Sequence, residues 1–465
     1  VSKADAQLLS CDLTAQAALL AAGELDSVEL LHQQLAAIEA SQPIINSYLH
    51  VDAEGALAAA AQSDARRRRG LARPLEGLPV AVKDNIDVAG MITTAGMETR
   101  RHTVPAGADN PAVAALRAAG AVIVGKLNMH EAAMGADNDN PFYGACHNPH
   151  RPGYTPGGSS GGSGAAVAAG LCGVALGTDT MGSVRIPASY CGVVGLKPSW
   201  GAISTRGSVA LCRRLDHIGP LTRSARDLRL LLQLMSGFDP ECAQSRAVSF
   251  NSAMSGALRI GVVDFGAAAE VAPEVQAAFQ DGLGVLAGLG HRVVPLPAPA
   301  FASGQARRAG LLMCEAEMLV EHAEAWAGDR NKFSPLLVKL MSWAEGRSAA
   351  ELAAASQLAD RAQVQLQQWL ARCDVLVMPT APQRAFAFGT PAPASQADLT
   401  AYANMAGNPA LSLPLPVAAG ELPVGMQLVG RIGDELQLIA LAEAFQQAVA
   451  WQPWPPEACA AWWPK

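Results

Sequence analysis

The chain has 465 residues, half of them apolar and only 16% charged, a composition that supports an extensive core and excludes global disorder. A formal net charge of -7 gives no reason to expect nucleic acid or an acidic membrane as partner; the one sharp basic run, Arg66 to Arg69 after Asp64, reads as a solvated helix end. Nine cysteines, an odd number without Cys-x-x-Cys spacing, argue against a disulfide framework or structural zinc site and fit a reducing cytoplasm.

Val1 to Asp5 is followed by no apolar h-region, so no signal peptide is expected. Residues 13 to 40 read as two amphipathic helices parted near Gly23, with Ser27 as N-cap of the second. Alanine-rich Ala56 to Arg69 continues helical until Pro74-Leu-Glu-Gly-Leu-Pro79 stops it, so residues 1–70 form a mostly helical N-terminal part. Val80 to Val82 reads as a buried strand that delivers Lys83 at its end. Asn110 to Ala119 is expected as helix and Ala121 to Val124 as strand, the unit that an α/β layer repeats. His130-Glu131 is followed by Ala132-Ala133-Met134, so the zinc motif His-Glu-x-x-His fails, and His147 and His150 lack metal-selecting neighbours.

Gly157 to Ser183 holds two glycine clusters, each with serine, separated by the small and apolar residues Ala165 to Gly177. Such clusters let backbone approach backbone and leave N–H groups free to converge on a point. Gly161 to Leu171 is expected as a close-packing helix with Ser159 and Ser160 at its N-terminus, and Val174 to Leu176 as a buried strand opening into a turn that carries Ser183. Further strands are expected at Leu258 to Val263, Arg292 to Leu296, Asp374 to Met378, Ala410 to Leu415 and Gly425 to Val429. Helices are expected over 273–288, 303–327, 349–371 and 434–450. No linker cuts the chain convincingly, so one large domain around a single mixed sheet is expected over 1–465; the restart near residue 250 leaves a second domain open.

A nucleophilic serine needs a base, yet no histidine occupies a strand-turn position beside either serine cluster, and Met181-Gly-Ser-Val-Arg185 lacks the outer glycines of Gly-x-Ser-x-Gly. Lysine remains. Burial beside neutral hydroxyls disfavours its charged form and makes the amine usable as a base. Lys83 is best placed, with Lys126, Lys197 and Lys332 as rivals.

These residues lie in segments that strongly resemble the amidase signature family of serine hydrolases. The resemblance runs through Pro79-Val-Ala-Val-Lys-Asp-Asn-Ile-Asp87, Gly120 to Glu131, Gly157-Gly-Ser-Ser-Gly-Gly-Ser163, Leu176 to Pro187 and Cys191 to Pro198. It continues in Asp374 to Ala381, Asn408 to Pro414 and Pro423 to Val429. The most specific motifs fall in 79–220. The resemblance implies an α/β fold, one α/β/α domain around a twisted mixed sheet of about eleven strands. It implies Ser183 as nucleophile, Ser159, beside a cis peptide, as bridging proton relay, and Lys83 as general base. Backbone N–H groups of Thr180, Met181, Gly182 and Ser183 would form the oxyanion hole, and Asp179 with Arg185 a supporting ion pair. Ser160 is expected to cap the small-residue helix. Met181 departs from the glycine frequent in the family; its side chain either packs under the turn or narrows the acyl pocket.

The expected activity is hydrolysis of a small organic carboxamide or urea-like amide to acid and ammonia or amine, without cofactor or metal. The expected partners are the amide substrate and a second copy in a homodimer, without nucleic acid or membrane. The alternative is a glutamine-dependent amidotransferase A-type subunit that supplies ammonia to a partner. Phe333, Leu336, Leu337 and Trp343 are expected to line or cover an apolar cavity, or to serve an ordinary core. With the sequence ending at 465 and Trp451, Trp454, Trp462 and Trp463 near its tail, the extra domain of the long allophanate hydrolases within the resembling family is not expected.

Overall fold

The computed structural model of the chain describes residues 8–452 and Cys459; Trp454, Trp462, Trp463 and Val1 to Asp5 lie outside the described residues. Asp12 caps the helix Leu13–Ala22 by accepting from Ala15 N at 2.9 Å, and Gly23, at φ 72°, ends it. The next helix spans Ser27–Ile45. Ser27 is its first residue and not its cap: Ser27 N donates to Asp64 Oδ1 at 2.7 Å and Val28 N to Asp64 Oδ2 at 3.1 Å. A carboxylate from the helix Ala53–Arg68 thus satisfies the orphan donors that local pattern assigns to a serine. Arg66, Arg68 and Arg69 are exposed at the end of that helix, apart from the half-buried side of its last turn.

Among the described residues, eleven strands form one mixed sheet. They are β1 (Tyr48–Val51), β2 (Pro79–Lys83), β3 (Val122–Leu127), β4 (Val174–Asp179), β5 (Val194–Lys197), β6 (His217–Thr222), β7 (Arg259–Val263), β8 (Arg292–Leu296), β9 (Val375–Pro379), β10 (Ala410–Pro414) and β11 (Gly425–Val429). Their spatial order is β1-β3-β2-β4-β6-β5-β10-β11-β9-β7-β8. β2 runs parallel to β3 and β4, and β7 parallel to β8 and β9; the remaining pairs are antiparallel. Strands from both halves of the sequence therefore share one sheet.

Burial on both faces explains why the central strands are apolar without alternation. Ala81, Val122, Val124 and Ala175 face one apolar cluster with Leu31, Ile38 and the helix Gly161–Ala168. Val80, Val82, Ile123, Val174 and Leu176 face another with Val113, Leu116 and Leu231. Three strands lack a strand-like pattern in the sequence. β1 has only four residues, and β5 and β6 carry glycine, proline and charge between them. Gly219 in β6 is required by close approach, since a Cβ there would lie 2.0 Å from Leu196 O. The helix expected over 303–327 is two, Ser303–Glu321 and Ala323–Gly328, broken at His322. Among the described residues no helix is long and apolar enough to cross a membrane. None of the nine cysteines is joined in a disulfide.

Candidate active site

The parallel strands β2, β3 and β4 end on the same side of the sheet, the side where α/β folds gather chemistry. Lys83 closes β2 and is fully buried. Its Nζ lies within hydrogen-bond distance of two hydroxyls, Ser159 Oγ and Thr178 Oγ1, each at 2.7 Å. Asn85 Nδ2 donates to Thr178 Oγ1 at 3.1 Å and fixes that hydroxyl. Burial drives the Lys83 amine down from its ordinary value to about 7, against the pull of the Asp179 and Asp216 carboxylates.

The rival lysines are occupied elsewhere. Lys126 pairs with Asp84 at 3.1 Å and donates to Thr93 Oγ1 at 3.0 Å. Lys197 donates to Pro198 O at 2.9 Å and lies 3.1 Å from His217 Nε2; Lys332 is exposed. Among the four, Lys83 alone meets the serine cluster.

Ser159 follows a cis peptide at Gly158–Ser159. Its carbonyl accepts from His130 N at 3.1 Å, and Gly162 N donates to Asn128 O at 3.0 Å, so the loop after β3 holds the cluster down. Ser160 occupies the N-cap position of the helix Gly161–Ala168, but its side chain makes no capping bond. Its Oγ donates instead to Thr178 O at 3.1 Å and accepts from Thr178 N at 3.3 Å, strapping the helix start to β4. Gly177 makes room for this, because a Cβ there would lie 2.9 Å from Ser160 Oγ.

Ser160 N donates to Ser183 O at 3.3 Å, which joins the two serine clusters. The turn before Ser183 is built around Asp179. Its carboxylate accepts from Gly182 N at 2.8 Å, from Val184 N at 3.1 Å and from Arg185 Nε and Nη2, both at 3.0 Å. Arg185, itself fully buried, also donates to Thr400 O at 3.0 Å, Gln427 Oε1 at 2.9 Å and Asn404 Oδ1 at 2.5 Å. Buried without Arg185, Asp179 would be driven toward its neutral form; beside the guanidinium it is held well below the usual carboxylate range.

This geometry changes one expectation. The Gly182 N–H is committed to Asp179, whereas the N–H groups of Thr180, Met181 and Ser183 have no acceptor among the described residues. Thr180 is oriented by its side chain, which donates to Asp216 Oδ1 at 2.6 Å. Asp216 also accepts from Leu211 N and Cys212 N, at 2.9 and 3.1 Å, and burial pushes its carboxyl up to about 6.

Ser183 opens onto a cavity of about 160 Å3 whose walls include Met134, Met181, Ile186, Leu211, Leu311 and Leu340. Met181 lines this cavity and also rests on the helix Ser303–Glu321, where a Cβ at Gly310 would lie 2.6 Å from its Sδ. Of the segment 330–346, Leu340 reaches the cavity. Phe333 and Leu337 are core residues, and Leu336 and Trp343 are substantially exposed, with Arg308 and Arg347 stacked over the Trp343 ring. Thr178 and Asn85 lie inside motifs that carry the resemblance and Asp216 lies within the span 79–220, but no spacing rule singles them out. Asn404 and Gln427 lie more than 200 residues from Arg185, beyond local pattern.

Comparison with known proteins places the chain in a family. The Amidase family model matches residues 29–439. The A subunit of glutamyl-tRNA(Gln) amidotransferase from Roseiflexus sp. (strain RS-1) is 38% identical over 463 residues, 92% of this chain and 94% of the relative. Two solved structures superpose closely. One, from a vestigial protein complex bearing on the origins of an s-triazine catabolic enzyme, has a TM-score of 0.87 at 33% identity and covers 94% of this chain and 98% of its own. The other, 6-aminohexanoate cyclic dimer hydrolase complexed with substrate, has a TM-score of 0.85 at 30% identity and covers 97% and 99%. With a matching family model over most of its length and relatives of this identity, the chain belongs to the amidase signature family.

Proposed function

We propose that this chain cleaves an amide C–N bond through an acyl-enzyme on Ser183, with Ser159 as proton relay and Lys83 as base. The observation that carries the reading is the 2.7 Å contact between Ser159 Oγ and a fully buried amine lowered to about 7. At neutral pH much of that amine is unprotonated and accepts from the Ser159 hydroxyl as Ser159 takes the proton of Ser183. Ser183 Oγ then attacks the carbonyl carbon, and the N–H groups of Thr180, Met181 and Ser183 receive the developing oxyanion. The protonated relay returns its proton to the leaving nitrogen, and water repeats the path to free Ser183.

The fate of the nitrogen separates two finer readings. The curated relatives favour the amidotransferase component, in which ammonia from glutamine passes to a partner chain, over the free-standing hydrolase and the homodimer. The hydrolase reading is supported by the near-complete superposition on 6-aminohexanoate cyclic dimer hydrolase. The absence of disulfides among the nine cysteines supports a cytoplasmic setting for either. The test is ammonia release by the purified chain from glutamine and from aliphatic, aryl and urea-like amides, alone and with the other chains of an amidotransferase. Activity only on glutamine and only with those chains is the outcome expected of the amidotransferase component; turnover of another amide by the chain alone is that expected of the hydrolase. Both require acyl on Ser183 in peptide mapping, and its absence with every substrate would overturn the shared mechanism.

A further inference from the structure

The cavity beside Ser183 is apolar on most of its wall but has, among the described residues, one charged residue, Arg307, which projects from the helix Ser303–Glu321. Its side chain is 19% exposed and is held by Asp398, with Nε donating to Oδ1 at 2.6 Å. That bond uses Nε alone, and the two terminal amino groups have no partner among the described residues. A second donor stands nearby. Gln396 lines the same cavity, and its Oε1 accepts from Tyr190 OH at 3.5 Å, while Gln383 Nε2 donates to Tyr190 OH at 2.9 Å. This chain of bonds occupies the Gln396 carbonyl and leaves its NH2 group without an acceptor among the described residues.

An apolar enclosure with a fixed, under-used guanidinium is poorly matched to a wholly neutral ligand. Guanidinium recognises carboxylate through paired N–H donors, and such charge-assisted bonds are stronger than neutral ones. The volume also limits the span: a cavity of about 150 Å3 holds a molecule the size of benzene. We infer that Arg307 is a specificity-determining residue, and that the amide carries a carboxylate a few carbons from the scissile carbonyl, as in the monoamide of a short dicarboxylic acid. Asp398 is the positioning residue that holds the guanidinium at the wall. The inference rests on amide cleavage at Ser183 and adds to it the class of substrate.

The experiment compares matched pairs: succinamate with butyramide, and glutaramate with valeramide, with L-glutamine as a further arm, in the presence of any partner the chain requires. The anionic member of each pair is expected to exceed the neutral one in kcat/KM by about 10–100-fold. Arg307→Gln is expected to collapse that ratio toward one, and Arg307→Lys to retain part of it. Calorimetry on Ser183→Ala, which keeps Arg307, reads the same preference as binding of succinamate over butyramide and covers the case in which Arg307→Gln does not fold. Equal use and equal binding of the two members, or a ratio unmoved by Arg307→Gln, overturns the inference while leaving amide cleavage intact. Failure of every amide to acylate Ser183 overturns the cleavage reading, and the inference with it.

Discussion

On the proposed mechanism, the pH dependence of this site belongs to Lys83. Because the base acts when unprotonated, kcat/KM is expected to rise with pH through an apparent pKa near 7 and then level, in initial rates between about pH 5 and 9. The same residue costs stability. An unfolded lysine keeps its ordinary pKa, so between about 7 and 10 the unfolded chain binds more protons than the folded one and stability rises with pH. Lys83→Met is therefore expected to abolish turnover yet to raise Tm at neutral pH by several degrees, with the gap narrowing as the pH approaches the ordinary lysine value. A Tm that falls at neutral pH would count against an unprotonated amine. Asp179→Asn tests a different bond. It leaves the Arg185 charge buried and without its partner, at an expected cost of about 3–5 kcal/mol in denaturant unfolding.

Met181 shows what is legible at this scale and what is not. Its departure from glycine can be read in the sequence, and so can the two places its side chain could go. That it lines the cavity, resting there against Gly310, depends on a helix from a distant part of the chain. Arg307 and Asp398 belong to no motif at all. Lys83 stands out because a lone amine ends an apolar strand; the resemblance implies it as base, whereas the residues alone do not choose it over Lys126 and Lys197, whose other partners only the structure shows.

At the scale of elements, the helix Gly161–Ala168 has low intrinsic propensity, with three glycines in eight residues, and is held by packing. A Cβ at Gly162 would lie 2.4 Å from Asn128 O and 2.7 Å from Ser47 O, both backbone atoms with little freedom to move. Gly162→Ala would add helix propensity, yet it is expected to destabilise the protein by about 1–3 kcal/mol because the backbones cannot separate without disturbing the Ser159 loop. Thermal unfolding with amide assays would detect both effects; a stabilised variant would mean that the contact gives way freely. The same closeness explains why the small-residue pattern reads as a tightly packed helix, while the start of the helix Ser27–Ile45 does not read correctly. Its capping carboxylate, Asp64, arrives from the next helix, so no local pattern announces it.

For the whole molecule, sheet continuity is the controlling fact. The half that carries Lys83, Ser159 and Ser183 joins the later half where β5 pairs with β10, and the apolar cluster around Leu196, Leu411 and Leu428 spans that seam. Chemical unfolding is expected to give one cooperative transition by fluorescence and circular dichroism alike, with loss of activity coinciding. The strands apparent in the sequence do not reveal this seam, because β5 is short, holds a glycine and ends in a buried lysine. Its place is set by partners distant in the chain.

The anchoring of Arg185 gives the protein an order of events during synthesis. Lys83, Ser159 and Ser183 leave the ribosome early, but the Asn404 and Gln427 side chains that complete the hold on the Ser183 turn come more than 200 residues later. On the proposed mechanism, a nascent chain would carry all three of these groups and still be idle until its last strands docked. Activity would then mark completion of the fold, and fragments 8–390 and 391–452, each inert, would be expected to regain turnover only on reassociation.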